Sequence, residues 1–217
     1  MIEEVMMERI YKTTIRTVAE VMASSFTDDP MHEVILEGLS RKDELLAAHS
    51  VIHTAHALRS GQLRLLDGNP GAFLIGQDSL DENRWNNLRL VSMIYLRTFL
   101  VLGMRDIRKI ISNYKRAGNV VSFSWQEEFV SGRFFRIKIV AIDESMRGKG
   151  AFRRLVTPVL DYADKEKIPV VLETHNYDNV GLYEHFGFDL VKTIKSGETP
   201  IEQYCMIRNP VAETAAC

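Results

Sequence analysis

Residues 145–155 read SMRGKGAFRRL. Gly148 and Gly150 flank Lys149, Arg147 precedes them, and an apolar pattern at helical spacing follows. The run IKIVAI, Ile137 to Ile142, comes just before. A strand, a basic glycine turn and a helix start present unpartnered backbone N–H groups and the positive end of a helix dipole. That arrangement binds anions, phosphate above all. Glycine adds close backbone approach because it has no Cβ. A Walker A loop is excluded, since Gly150 stands where Ser or Thr must follow the lysine. A dinucleotide fingerprint is disfavoured, since Arg153 stands where the third glycine belongs.

Downstream stands LETHNYDNVGLYEHFGF, Leu172 to Phe188, with further groups capable of chemistry. Glu173 and His175 are two apart at a strand end, so alternation places them on one face. His175 titrates near neutrality, which suits a general base, although a solvated strand end explains both residues equally well. Tyr183 lies on a short helix closed by Gly187, where an aromatic core contact accounts for it as readily as a functional role. His49, His53 and His56 fall at i, i+4 and i+7. Without HExxH or a nearby cysteine, that spacing reads as one helix face, and no metal is expected. Asp28 and Asp29, before Pro30, read as turn residues at a helix end.

The elements that must position these groups follow from periodicity. Ile15, Val18, Ala19, Met22 and Phe26 predict a helix over Thr13–Phe26, broken by TDDP. A second helix is expected over Lys42–Arg59, ended near Gly61. QLRLLDGNPGAFLIGQ reads as two short strands around DGNPG. Asp81 to Ala117 reads as two helices broken at Gly103, and Ser122 to Ile142 as strand with a turn near Ser131–Arg133. Phe152, Leu155, Val156, Val159, Leu160 and Ala163 outline an amphipathic helix, with a bend expected at Pro158. Strands are expected at Ile168–Thr174, Phe188–Ile194 and Ile201–Arg208, with a short helix at Asn179–Phe186. This order makes a mixed sheet with helices on its faces.

The chain has 217 residues, net charge −2, 46% hydrophobic and 26% charged residues, the balance of a water-soluble globular domain. There is no overall basic field, so nucleic acid is not an expected partner. Arg97 interrupts the longest apolar-leaning run, Leu90 to Gly103, so no membrane span is expected. MIEEVMMERIYK does not read as a signal peptide, and two cysteines, Cys205 and Cys217, make no disulfide framework. A cytoplasmic location is the expectation.

IKIVAIDESMRGKGAFRRLV resembles the acyl-CoA-binding motif of the GCN5-related N-acetyltransferases (GNAT), strand, Q/R-x-x-G-x-G/A, helix. Arg147, Gly150 and Phe152 take its first, fourth and sixth positions, and Phe152 departs from the usual Gly or Ala. NVGLYEHFGF is similar to the family's second segment through Asn179, Leu182, Tyr183, Gly187 and Phe188. The resemblance covers about residues 133–208 and implies a mixed, mostly antiparallel sheet flanked by helices. It implies one domain: an acceptor-side half at 1–132, an acyl-CoA half at 133–208 and a tail at 209–217. It further implies acetyl-CoA as donor, and a small-molecule or peptide amine as acceptor. Val140, Ala141 and Ile142 would meet the pantetheine, and Arg147, Gly148, Lys149, Gly150, Ala151 and Phe152 the pyrophosphate. Asn179 and Tyr183 would line the other side of the cofactor. Tyr183 would be the general acid, Glu173 or His175 the candidate base, and Asp28 and Asp29 acceptor-side acids. The helical stretch 81–117 would shape the acceptor pocket or a homodimer surface. A catalytically idle acyl-CoA-binding module of the same fold is the alternative, since fold alone does not fix function.

Overall fold

A computed structural model describes residues 2–211, with side chains from residue 9 onward; Cys217 lies outside the described residues. The elements in chain order are α1 (Ile2–Ser25), α2 (Pro30–Ile35), α3 (Lys42–Arg59), β1 (Leu63–Leu66), β2 (Asn69–Asp78), α4 (Arg84–Val101) and α5 (Met104–Gly118). The second half contains β3 (Phe135–Ile142), α6 (Ala151–Glu166), β4 (Val170–Thr174), α7 (Asp178–His185), β5 (Asp189–Lys195) and β6 (Glu202–Arg208). The strands form one sheet in the order β1-β2-β3-β4-β6-β5. All neighbours are antiparallel except β3 and β4.

The hairpin β1–β2 turns on Asp67 and Gly68, whose φ of 50° and 74° are both left-handed, the two-residue turn that matches strand twist. β3 pairs with β2 through a bulge: Ile75 faces Ile139 and Gly76 faces Ile137, leaving Lys138 as the extra residue. Gly76 is required there, because a Cβ would lie 2.8 Å from the Arg136 carbonyl oxygen and 2.8 Å from the Phe135 ring. The bulge swaps the faces of the strand. Phe135 and Ile137 join the core under α6, whereas Ile139 and Ala141 pack under α1. Two faces of one sheet are thereby buried, by Leu155, Val156 and Val159 of α6 and by Val18, Val21 and Met22 of α1.

The parallel pairing of β3 with β4 consists of Phe135 with Val170 and Arg136 with Val171. Past these residues the two strands part. Residues 137–142 remain paired to β2, and Leu172 to Thr174 remain paired to β6. A wedge therefore opens in the middle of the sheet.

One expectation is corrected. Ser122 to Phe134 is not strand: it holds a 3-10 turn at Trp125–Glu128 whose indole Nε1 donates to Glu173 Oε2 at 3.0 Å. The apolar density of that stretch serves Trp125, which is fully buried, rather than a strand face. α6 is one helix from 151 to 166 with Pro158 inside it. An element absent from the periodicity reading is α2, where the Asp29 carboxylate accepts from the N–H groups of Met31 and His32 and Pro30 takes the first turn.

Candidate active site

The wedge is one side of a cleft of about 810 Å³. Its walls come from the end of α1, the last residues of β3, the loop into α6, and α7. Val140, Ala141, Ile142, Arg147, Gly148, Gly150, Ala151, Phe152, Asn179 and Tyr183 all line it, as do Asp28 and Asp29.

The loop is built by its own hydrogen bonds. The Asp143 carboxylate accepts from the Ser145 N–H at 2.9 Å, which starts a 3-10 turn at Glu144–Met146. Arg147 Nε donates to the Ile142 carbonyl at 3.2 Å, and Lys149 Nζ to the Ser145 carbonyl at 2.7 Å. Lys149 thus fastens the loop to itself and does not line the cleft, a departure from its expected position among the phosphate contacts. Gly148 and Gly150 both have φ of 71°, and a Cβ on either would meet nothing within 4 Å. The glycines are needed for the left-handed backbone, and the space beside them is open. No side chain caps α6, so its first-turn N–H groups point into the cleft mouth with the positive end of the dipole.

The backbone of β3 at the wedge is also available. The Asp143 N–H donates to the Gly71 carbonyl on the β2 side at 2.8 Å. Strand alternation then turns the N–H groups of Ile142 and Val140 the opposite way, into the wedge. The Ile142 carbonyl, received by Arg147 Nε, faces that side as well.

Phe152 stands edge-on to Tyr183 at 5.8 Å and to Phe186 at 5.0 Å between ring centroids. It is the aromatic tie between α6 and α7, two elements a Gly or Ala would leave unconnected at this point. Tyr183 is held on its other side by Phe188, also at 5.8 Å. Burial pushes the Tyr183 hydroxyl up to about 12, so it is a protonated donor across the physiological range. Asn179 Nδ2 donates to Thr174 Oγ1 at 3.3 Å, joining α7 to the end of β4. Sequence reasoning missed Asn176, which lines the cleft and accepts from the Asp178 N–H at 3.0 Å as the side chain that starts α7. An asparagine just before a short helix was the available signal.

The acid–base candidates separate. Glu173 lies off the cleft lining, between the Trp125 indole and Arg136, whose Nη1 is 3.7 Å from Oε1. Burial raises its carboxyl above the usual range. His175 follows the end of β4 and is also off the cleft lining, next to Asn176 which lines it, and its Nε2 is buried without a hydrogen-bond partner. Burial lowers its imidazole, so it is neutral and able to accept a proton; the nearby Asp29 charge works the other way. Asp29 itself is ionised. Burial opposes its charge, but hydrogen bonds from the His32 side chain and N–H outweigh that and hold it below the usual carboxylate range. Asp28 is exposed at the rim. Of the histidines of α3, His49 Nε2 meets Thr98 Oγ1 at 2.9 Å, burial lowers His53 to about 4, and His56 Nε2 is buried without a hydrogen-bond partner.

Residues 110–188 match the model of the Acetyltransferase (GNAT) family. An uncharacterized N-acetyltransferase of Schizosaccharomyces pombe is 35% identical over 81 residues, 36% of this chain and 32% of that protein. The match therefore spans about a third of that relative's length. Among solved structures, histone acetyltransferase HPA2 and related acetyltransferase from Corynebacterium glutamicum superposes with a TM-score of 0.56 at 16% identity, over 93% of this chain and 94% of that one. Arylalkylamine N-acetyltransferase 2 from Aedes aegypti gives 0.53 at 13% identity, over 93% and 95% of the two chains. These two likenesses concern the fold.

Proposed function

We propose that this chain, whose residues 110–188 match the Acetyltransferase (GNAT) family model and whose fold is that of acetyltransferases, transfers an acyl group, acetyl in the first place, from acyl-CoA to an amine. The observation that carries this is the shared opening of three features on one cleft: the uncapped start of α6, the free edge of β3 and the Tyr183 ring.

Each step has a group. The N–H groups at the start of α6, with Arg147, hold the pyrophosphate. Val140 to Ile142 offer the edge along which the pantetheine amides pair, and Asn179 with Tyr183 forms the opposite wall. The Ile142 N–H points into the wedge and is the candidate donor to the oxyanion of the tetrahedral intermediate. Tyr183 donates toward the departing thiolate. His175, neutral and beside the ionised Asp29, is the better placed of the two candidate bases for an ammonium acceptor, whose pKa is about 10.4 in water. Asp28 and Asp29 attract that ammonium. Direct attack is favoured over a covalent acyl-enzyme, because Cys205 is buried in the sheet outside the cleft lining, with burial pushing its thiol up to about 11.

The test has two arms. Free-thiol release from acetyl-CoA with a panel of small-molecule and peptide amines is expected to show acceptor-dependent turnover. Calorimetric titration of CoA into Gly150→Asp is expected to show affinity lost by at least about tenfold, from an anion placed against the helix start. Wild-type affinity in Gly150→Asp removes the cradle. CoA binding without turnover on any amine leaves a binding module in place of an enzyme.

A further inference from the structure

α4 exposes more apolar surface than any other helix among the described residues. Trp85 is 80% exposed, Tyr95 70%, Phe99 61%, and Leu88, Leu96 and Leu100 are each more than half exposed. Val91 and Met93 are exposed too, and the patch continues onto α5 through Met104, Ile111 and Tyr114. The inner side of α4 is a narrower stripe, turned to α3 by Thr98 at His49 and closed by the buried Val101. A monomeric surface rarely carries so large an apolar patch without a use for it.

The order of residues along the exposed face identifies the occupant. Ser92 lies at its middle. Four residues away on either side stand Leu88 and Leu96; three away, Arg89 and Tyr95; seven away, Trp85 and Phe99. All of these fall on one helix face, at the spacing of a two-helix seam. A two-fold axis sets residue i of one copy against residue j of the other and j against i, and about Ser92 each such pair is compatible, apolar with apolar or cation with ring. We propose that this chain forms a two-fold dimer in which α4 lies antiparallel against the α4 of a second copy, with the axis at Ser92. This proposal is independent of the acyl-transfer reading.

Across that axis Leu88 of one copy meets Leu96 of the other, Trp85 meets Phe99, and Arg89 comes over the Tyr95 ring. The last is a cation–π pair in place of a buried like-charge clash. Ser92 allows the two helices to approach closely, and its hydroxyl makes no demand on the seam because it donates to the Leu88 carbonyl at 2.8 Å. The three aromatic rings, each able to bury roughly 150–250 Å², supply about 400–500 Å² at their exposures. With the leucines and Met104 the patch reaches the order of the ~800 Å² per partner that a stable dimer covers.

Sedimentation equilibrium of the full chain is expected to give twice the monomer mass of 24.8 kDa. The Leu88→Glu/Leu96→Glu double variant is expected to sediment as a monomer while keeping its helical circular dichroism and its CoA affinity. In a Cys217→Ser background, Ser92→Cys is expected to give a disulfide-linked dimer on mild oxidation, and Asp161→Cys on the far side of the molecule is not. The cross-link decides the case even where the double variant fails to fold. A wild-type monomer at every concentration overturns the proposal. So does a dimer that the glutamates leave intact, or one that Ser92→Cys does not capture. A monomer that instead sediments with anionic phospholipid vesicles assigns the face to a membrane surface and equally overturns it.

Discussion

Replacing Tyr183 by Phe removes one oxygen and little else. The ring keeps its edge contacts with Phe152 and Phe188, and no hydrogen bond of the hydroxyl is seen among the described residues. The stability change is therefore expected to stay below about 1 kcal/mol. The chemical effect is separable from this. A thiol ordinarily titrates near 8.5, while the Tyr183 hydroxyl is pushed up to about 12, so complete proton transfer to the thiolate is uphill by roughly 3–4 units, or ~5 kcal/mol. A hydroxyl in that position acts chiefly by hydrogen bonding to the sulfur as charge develops, at the lower end of the range for general acids, roughly 10²-fold, or ~3 kcal/mol of barrier. Because the group titrates so high, activity governed by it stays flat from neutrality upward and is lost only as pH approaches about 12. The assay is thiol release under saturating acetyl-CoA, with CoA affinity measured separately by calorimetry. A fall in kcat with affinity kept within about threefold supports the role. An unchanged kcat refutes it, and equal losses in kcat and affinity mean that Tyr183 is a wall of the cleft and not a donor.

Further outcomes follow from the same geometry. Glu173→Gln keeps an acceptor for the Trp125 indole but strips Arg136 of its charge partner, so it should lower the unfolding free energy read from urea denaturation by about 1–3 kcal/mol, with kcat nearly intact. His175→Gln should instead slow turnover most with high-pKa amines and at low pH; the reverse ordering of these two variants assigns the base to Glu173. Burial lowers His49 and His53 to about 4, against about 6.5 unfolded, so the folded state binds fewer protons between those values. Stability should be full above about pH 6.5 and fall as pH drops toward 4, by up to ~1.4 kcal/mol per pH unit for each histidine, a slope that chemical denaturation at several pH values measures. Arg208 grips Asp164 at 2.8 and 2.7 Å and holds that carboxyl below the usual range, so its contribution is present above about pH 4 and is lost as pH falls through the folded value. Arg208→Met should cost about 3 kcal/mol at neutral pH by calorimetric melting. Gly187→Ala, at φ of 82°, should cost about 1–2 kcal/mol by the same measurement.

The second half of the fold was readable because its signals are local. The apolar positions of α6, the glycine loop and the strand pair at the end recur at the periods of single elements, and each lies where those periods put it. Ser122–Phe134 misled because Val130 and Phe134 look like a strand face, while the reason for Trp125, a hydrogen bond to Glu173, lies 48 residues away. The bulge at Lys138 leaves no trace in the residue order, yet it decides which side of β3 meets α1. The site was legible as a cradle and a tyrosine. The different surroundings of Glu173 and His175 were not, because alternation gave them one face and only tertiary packing placed Asp29 near His175 and Arg136 against Glu173. The wrong positional expectation for Lys149 has the same origin, since its carbonyl partner belongs to the turn and not to the cofactor.

The position of β6 between β4 and β5 has a consequence for the order of assembly. β4 is made early in this half, but it rests on β3 through two registered pairs and on β6 through five. Until residues 202–208 have been synthesised, β5 has no strand to join and one wall of the wedge is barely attached. The cleft is therefore among the last parts of the molecule to become rigid on the ribosome. Chains truncated before Glu202 should be held by protein-folding factors and cut readily by proteases, whereas the 217-residue chain free of the ribosome should resist both.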